Sequence, residues 1–267
     1  LKSPSYIICF SNFVNLFVSL LTAFYHFAMM KRMKPTQVQT RVIGKENLAG
    51  NFWSVWMERG GIEYEAGQYL SLKVSEEGQR RSYSLASYPQ ENDLQMVVDV
   101  TPMGKGSKYI LGLETGQMVE ILVPVGGFEV LPEQRAETTK GFLLVGTGSG
   151  IVPLRSMIFD LLKVKKETRP VQLNWGMRYE KNLFWTKEFL DLQKEYTNFK
   201  FDLVLSKPTE TWTYCRGHVG DCLVGHKMDF TGWQAYLCGS KEMIAEVGEL
   251  LVNHGIGRES VHFEKFY

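Results

Sequence analysis

The sequence predicts two domains, an antiparallel β-barrel over residues 35–133 and an α/β domain with a parallel sheet over residues 139–267. Three observations predict this. The chain has 267 residues, long for one compact domain and comfortable for two of about 100–150 residues each. Its first part carries short β-rich segments punctuated by glycine turns, the pattern of a small barrel. In its second part apolar strands alternate with helical stretches, a βαβ repeat that predicts a parallel sheet covered on both faces.

Ahead of both domains lies a hydrophobic leader, residues 1–34. Between residues 3 and 30 there is no Asp, Glu, Lys or Arg, and about twenty apolar residues suffice to span a bilayer core. Lys31, Arg32 and Lys34 follow, which by the positive-inside rule places the downstream chain in the cytoplasm. On a helix Asn12, Asn15, Ser19, Thr22 and His26 would form one polar stripe for a partner helix. A membrane anchor over residues 5–30 is one reading. A start assigned upstream of the true one, with Met29, Met30 and Met33 just before the first domain, is another. A secretory signal fits less well, since no small-residue cleavage site follows. The expected location is cytoplasmic, on the cytoplasmic face of the membrane if the anchor is real.

Composition narrows the classes. Hydrophobic residues make up 44% and charged residues 22% of the chain, ordinary for a globular protein. A formal net charge of +1 gives no global field toward nucleic acid, so no nucleic-acid partner is expected. The four cysteines, Cys9, Cys215, Cys222 and Cys238, form no CxxC and no four-cysteine cluster spacing. No metal or built-in iron–sulfur cluster is therefore expected, no disulfide framework is evident, and a reducing compartment is the simpler reading.

In the barrel, strands are expected at 37–43, 52–57, 69–74, 81–86, 94–100 and 118–123, with a short helix over 108–113. In Arg81-Ser82-Tyr83-Ser84, strand alternation sends Arg81 and Tyr83 to one face and Ser82 and Ser84 to the other. A helix opening at Gly106 and Ser107 exposes amides that, with a cation at Arg81, suit a phosphate. Arg81 by itself would be an ordinary surface arginine, and Tyr83 by itself a core residue.

In the α/β domain, strands are expected at 142–145, 171–176, 199–205, 234–238 and 261–266, and helices at 152–164, 183–193 and 241–254. Gly146-Thr147-Gly148-Ser149-Gly150 joins the first strand to the first helix. Backbone can approach a phosphate closely there, and the helix N-terminus favours negative charge. Pro153 suits the first helical turn, where its missing amide leaves nothing unpaired. The spacing is GxGxG, and no Lys-Ser/Thr follows to make a triphosphate loop. Such glycines can also be no more than a tight turn.

Over about residues 35–267 the chain resembles the ferredoxin–NADP reductase superfamily. The resemblance is carried by Arg81-Ser82-Tyr83-Ser84, Gly67-Gln68-Tyr69, Val123-Pro124-Val125-Gly126-Gly127-Phe128, Gly176-Met177-Arg178, the segment Cys238-Gly239-Ser240-Lys241-Glu242-Met243 and the tail Phe263-Glu264-Lys265-Phe266-Tyr267. Val123 stands where the family commonly has glycine. The resemblance implies a flavin-binding barrel holding FAD through Arg81, Tyr83, Ser84, Gly106 and Ser107. It implies a nucleotide-binding domain holding NAD(P)H through Gly146, Gly148, Gly150, Pro153, Arg178 and Gly239. Ser84 would serve flavin N5, Cys238 would sit beside the nicotinamide, and Glu264 would manage protons. Phe266, or Tyr267, would be the aromatic stacked on the flavin. Ser206, Lys207 and Arg216 could form a 2′-phosphate pocket for NADPH, whereas the Glu264-Lys265-Phe266 ending leans to NADH. The implied function is an FAD-dependent oxidoreductase that takes hydride from NAD(P)H and passes electrons to a separate acceptor: a ferredoxin, a flavodoxin, an oxygenase or a membrane component. A free-flavin reductase and a non-catalytic flavin- and nucleotide-binding subunit are the alternatives.

Overall fold

Period-two alternation of burial marks a half-buried strand, and it is clear at Tyr69–Lys73 and over most of Met118–Val125 in the computed structural model, which describes residues 33–225 and 229–266. Residues 1–32, and with them the anchor reading over residues 5–30, lie outside the described residues, as does Tyr267. Among the described residues no helix is long and apolar enough to cross a membrane.

The first sheet is built from β1 (Thr36–Ala49), β2 (Phe52–Glu58), β3 (Tyr69–Lys73), β4 (Arg80–Ser84), β5 (Asp93–Asp99) and β6 (Met118–Val125), in the order β4-β3-β6-β1-β2-β5. Every pairing is antiparallel. The long β1 serves two neighbours: Thr36 to Arg41 pair with β6, while Val42 to Ala49 pair with β2. A register shift between Val42 and Gly44 lets it turn that corner, as bulges do. A bridge between Leu85 and Met96 brings the two edges together, closing the barrel around Leu70, Leu72, Leu94 and Ile121, none of which is exposed. Helix α1 (Lys105–Gly112) lies between β5 and β6 and drops Ile110 into that core.

The second sheet reads differently. Strands β7 (Gly141–Thr147), β8 (Val171–Met177), β9 (Phe199–Leu205), β10 (Cys215–Arg216), β11 (Trp233–Gly239) and β12 (Val261–Lys265) are all parallel, in the order β10-β9-β8-β7-β11-β12. All seven residues of β8 are buried, as expected of a parallel strand covered on both faces. Alternate residues feed two cores. Phe142, Leu144, Tyr236 and Cys238 share one with helices α2 (Ile151–Phe159) and α3 (Thr186–Glu195). Leu143, Val145, Ala235 and Leu237 share the other with α4 (Val219–Gly225) and α5 (Lys241–Asn253). The first of these cores continues into the barrel through Phe52, Ala66, Ala86 and Phe128, so the two sheets form one packed body.

The expected elements recur with informative shifts. The helix expected over 152–164 is α-helical only to Phe159; a wider turn follows, in which the Lys165 amide bonds the Asp160 carbonyl at 2.8 Å. The helix expected from 183 begins at Thr186, because Phe184 is buried in the core and Trp185 adopts φ 56°. Neither β10 nor α4 was expected. The sequence also gives no sign of a disulfide, yet Cys215 of β10 and Cys222 of α4 are joined as one, with Cα atoms 6.1 Å apart. The tight turn between strand and helix brings them together, which spacing by itself does not reveal.

Candidate active site

Two strand ends meet at the centre of the site. Ser84 is the last residue of β4 and is buried; Glu264 lies on β12, directly paired with Cys238 of β11. The Ser84 hydroxyl donates to Glu264 Oε2 at 3.2 Å. Burial disfavours the Glu264 carboxylate and pushes its pKa up to about 7, against the opposing hydrogen bond from Ser84. Cys238 is fully buried; that burial, with the nearby Glu264 charge, pushes its thiol up and keeps it protonated. A poised carboxyl and an inert thiol thus sit side by side. Phe266 is half-buried against the same core, its amide bonded to the Gly239 carbonyl at 3.1 Å.

A second cluster lies on the outer face of the barrel. Arg81 and Tyr83 point the same way from β4, and α1 packs its first turn against them. A Cβ added at Gly106 would come within 2.5 Å of the Tyr83 hydroxyl and 3.0 Å of Arg81 Cγ. Only glycine allows that approach. The N-cap, Gly104, supplies no side-chain cap to α1, and its first turn holds no acidic residue. First-turn amides and an exposed arginine therefore face the same space, with Ser107 buried beneath. This arrangement fits an anionic group.

The third component is a cleft of about 770 Å³ at the C-terminal ends of the parallel strands. Thr147 and Gly148 of the glycine loop, Gly176 and Arg178 after β8, and Ser206 after β9 line it. Ser240 lines it as well, and its hydroxyl caps α5 by accepting from the Met243 amide at 3.2 Å. Within the loop the glycines divide their work. Gly148 has φ 56° and open space around it, facing the cleft, whereas a Cβ at Gly150 would collide with the carbonyl of Cys238. Gly146 and Pro153 are packing residues: Gly146 lies against Leu154, and Pro153 is buried in the first turn of α2. A backbone rim with small residues, one exposed arginine and a helix N-terminus suits a dinucleotide.

Three parts of the site lay outside the sequence reading. The turn Gly217, His218, Val219, Gly220 and Asp221 forms one wall of the cleft, and Asn51, Asp99 and Thr101 reach it from the barrel. Of the residues that could form a 2′-phosphate pocket, Ser206 lines the cleft, while Arg216 turns its Nη2 to the carbonyls of Thr209, Glu210 and Trp212. Arg155, buried inside α2, was also missed. Its signal was visible, a lone arginine in the otherwise apolar run Ile151-Val152-Pro153-Leu154-Arg155. Among the described residues no group of three or more His, Cys, Asp or Glu could hold a metal ion.

Two sequence families match the chain. Residues 50–130 match the sequence family described as the oxidoreductase FAD-binding domain, and residues 144–249 match the oxidoreductase NAD-binding domain. A subunit of the Na(+)-translocating NADH-quinone reductase of Methylococcus capsulatus is 32% identical over 203 residues, 70% of this chain and 49% of that protein. The corresponding protein of Haemophilus ducreyi, which bears the same name, is 31% identical over 202 residues, 70% of this chain and 48% of that protein. This chain therefore spans about half the length of the curated relatives it matches. Among solved structures, an Amycolatopsis cytochrome P450 reductase superposes with a TM-score of 0.80 at 27% identity, covering 88% of this chain and 72% of that one. A ferredoxin NADP+ reductase from Neisseria gonorrhoeae with bound FAD and NADP has the same fold, with a TM-score of 0.76 at 18% identity over 86% of this chain and 99% of that one.

Proposed function

The chain belongs to the ferredoxin–NADP reductase superfamily, and on that premise we propose that it is an NAD(P)H-dependent flavin oxidoreductase serving a separate electron acceptor. The observation that carries this reading is the contact between Ser84 and Glu264, with Cys238 beside them, at the meeting of barrel and sheet. A bound flavin would supply the hydride-accepting and one- or two-electron chemistry that side chains lack. The chain supplies position and charge. Arg81 and the first-turn amides of α1 would hold the flavin diphosphate, and Gly148, Arg178 and Ser240 would hold the nucleotide in the cleft. Ser84 and Glu264 manage the proton: Glu264, with its pKa near 7, can take or give one at its carboxylate and pass it through the Ser84 hydroxyl. Cys238, protonated and buried, shapes the wall. Phe266, half-buried against the core beside Cys238, is the aromatic that would cover the flavin.

NADH is the favoured donor. Asp99, Asp221, Glu242 and Glu246 line the cleft against a single arginine, Arg178, and a 2′-phosphate entering such a field is disfavoured. The acceptor is a ferredoxin, a flavodoxin, an oxygenase or a membrane component. The relatives named as parts of Na(+)-translocating NADH-quinone reductases favour the last. Purified protein should be yellow and should bleach on anaerobic addition of NADH, with a higher kcat/KM for NADH than for NADPH. Flavin lost on gel filtration would instead favour a free-flavin reductase, and bound flavin that NADH fails to bleach would overturn the enzyme reading.

A further inference from the structure

Arg155 occupies the second turn of α2, the helix that follows the glycine loop, and is 6% exposed. A lone charge there would be costly unless fully partnered. Its partners come from three directions. Nε and Nη2 donate to the two carboxylate oxygens of Glu188 in α3, at 2.9 and 2.7 Å. Nη2 and Nη1 also reach Glu91 of the barrel, at 3.2 and 3.4 Å. Nη1 donates to the backbone carbonyl of Ala86 at 2.8 Å. The guanidinium lies over Phe159 and Trp185, 4.5 and 5.1 Å from their ring centres. Burial works against its charge, and the hydrogen bonds and charges of Glu188 and Glu91 more than offset that.

The next residue repeats the connection. Ser156 Oγ donates to the Ser87 carbonyl at 2.7 Å. Ala86 and Ser87 directly follow the flavin strand, two and three residues past Ser84. Arg155 and Ser156 follow the glycine loop, five and six residues past Gly150. Consecutive carbonyls of one motif are thus held by consecutive side chains of the other. Glu91 is fixed in turn, since its Oε2 accepts from the Tyr88 amide at 3.2 Å and its carbonyl accepts from Arg59 at 3.0 Å.

We propose that Arg155, with Glu91 and Ser156, is a positioning tether that sets the separation between the flavin strand and the nucleotide loop, and thereby the alignment of donor and acceptor for hydride transfer. A packing arginine need only fill space and neutralise charge. This one fixes the backbone of segment 86–87, where a shift of under an ångström would be felt at Ser84, and hydride transfer is sensitive to displacements of that size.

The inference rests on the proposed function, and one experiment separates the two. Full-length protein loaded with FAD is reduced anaerobically by saturating NADH in a stopped-flow instrument. Separately, dithionite-reduced protein is reoxidised by ferricyanide, which needs no nicotinamide alignment. The variants are Arg155→Lys, Glu91→Gln and Ser156→Ala. Reduction should slow about 10–100-fold in Arg155→Lys, with smaller losses in the other two and a larger primary deuterium isotope effect. Ferricyanide reoxidation should be unchanged. In protein without nucleotide, amides of residues 86–91 should exchange faster in each variant. If Arg155→Lys fails to fold, Glu91→Gln and Ser156→Ala decide the matter. Reduction unchanged in the variants, or reduction and reoxidation falling together, overturns the tether. Wild-type protein that NADH does not bleach overturns the proposed function and the tether with it.

Discussion

In the barrel, the candidate site is built on the face of a strand; in the α/β domain, the candidate cleft is gathered at the ends of strands. Arg81 and Tyr83 project from one side of β4 because an antiparallel strand with one solvated face has a face to spare. The central strands of the parallel sheet have none: β7 and β8 are buried almost throughout. The cleft of that half is accordingly gathered where strands stop, at the glycine loop, Met177-Arg178 and Ser240. The proposed anion sites thus differ in make-up, the one on the barrel centred on Arg81 beside a helix N-terminus and the one in the cleft on a backbone rim with Arg178.

Four substitutions test that contrast, taken from the largest expected effect to the smallest. Gly150→Ala places a methyl against the Cys238 carbonyl and should lower stability by about 3 kcal/mol, the upper part of the range for overpacking, read as the urea midpoint. A harmless Gly150→Ala would mean that the backbone there has slack, and the contrast would fail.

Glu264→Gln comes next, where the two halves meet. With its pKa raised from 4.5 to about 7 in the folded chain, Glu264 contributes stability that is fully present below about pH 4.5 and is lost as pH rises through about 7. Wild-type stability should therefore fall by about 2 kcal/mol between about pH 5 and 8 after solvent screening, and Glu264→Gln should flatten that slope. Identical urea-midpoint profiles for the two proteins would show that Glu264 is not held in a desolvated state.

Arg81→Gln should weaken flavin binding about tenfold, near 1.4 kcal/mol, as expected for one exposed charge-assisted contact, without moving the NADH dissociation constant. Equal losses for both ligands would mean that the two clusters do not act separately. Gly148→Ala is the mildest: its added carbon meets open space, leaving only the positive φ of 56°, about 1 kcal/mol. If it proved as damaging as Gly150→Ala, cleft geometry rather than packing would dominate the loop.

The sequence disclosed most where a residue type has few alternatives. Glycines at 146, 148 and 150 between an apolar strand and an apolar helix mark a close strand-to-helix turn, and Arg81-Ser82-Tyr83-Ser84 alternates as a strand must. What stayed hidden depends on distant neighbours. Trp185 leaves the helical pattern because Phe184 needs the core, where it packs 5.1 Å from Trp175. The wall from Gly217 to Asp221 is short and polar, and is ordered by Asp221 accepting from the His218 amide at 2.9 Å, a contact too local to leave a periodic trace. The partners of Arg155 lie 33, 64 and 69 residues away along the chain. Its charge in an apolar helix signals that partners exist without saying which.

Ser84 and Glu264 are separated by 180 residues, and β12 follows every other described element. Synthesis at about 5–20 residues per second therefore delivers Glu264 roughly 10–40 s after Ser84. Through that interval the nascent barrel can close and the first βαβ units can form, while Ser84 has no carboxylate to meet. Docking of β12 beside β11 is then the event that brings Glu264 to Ser84, so this contact between the two sheets is among the last to form.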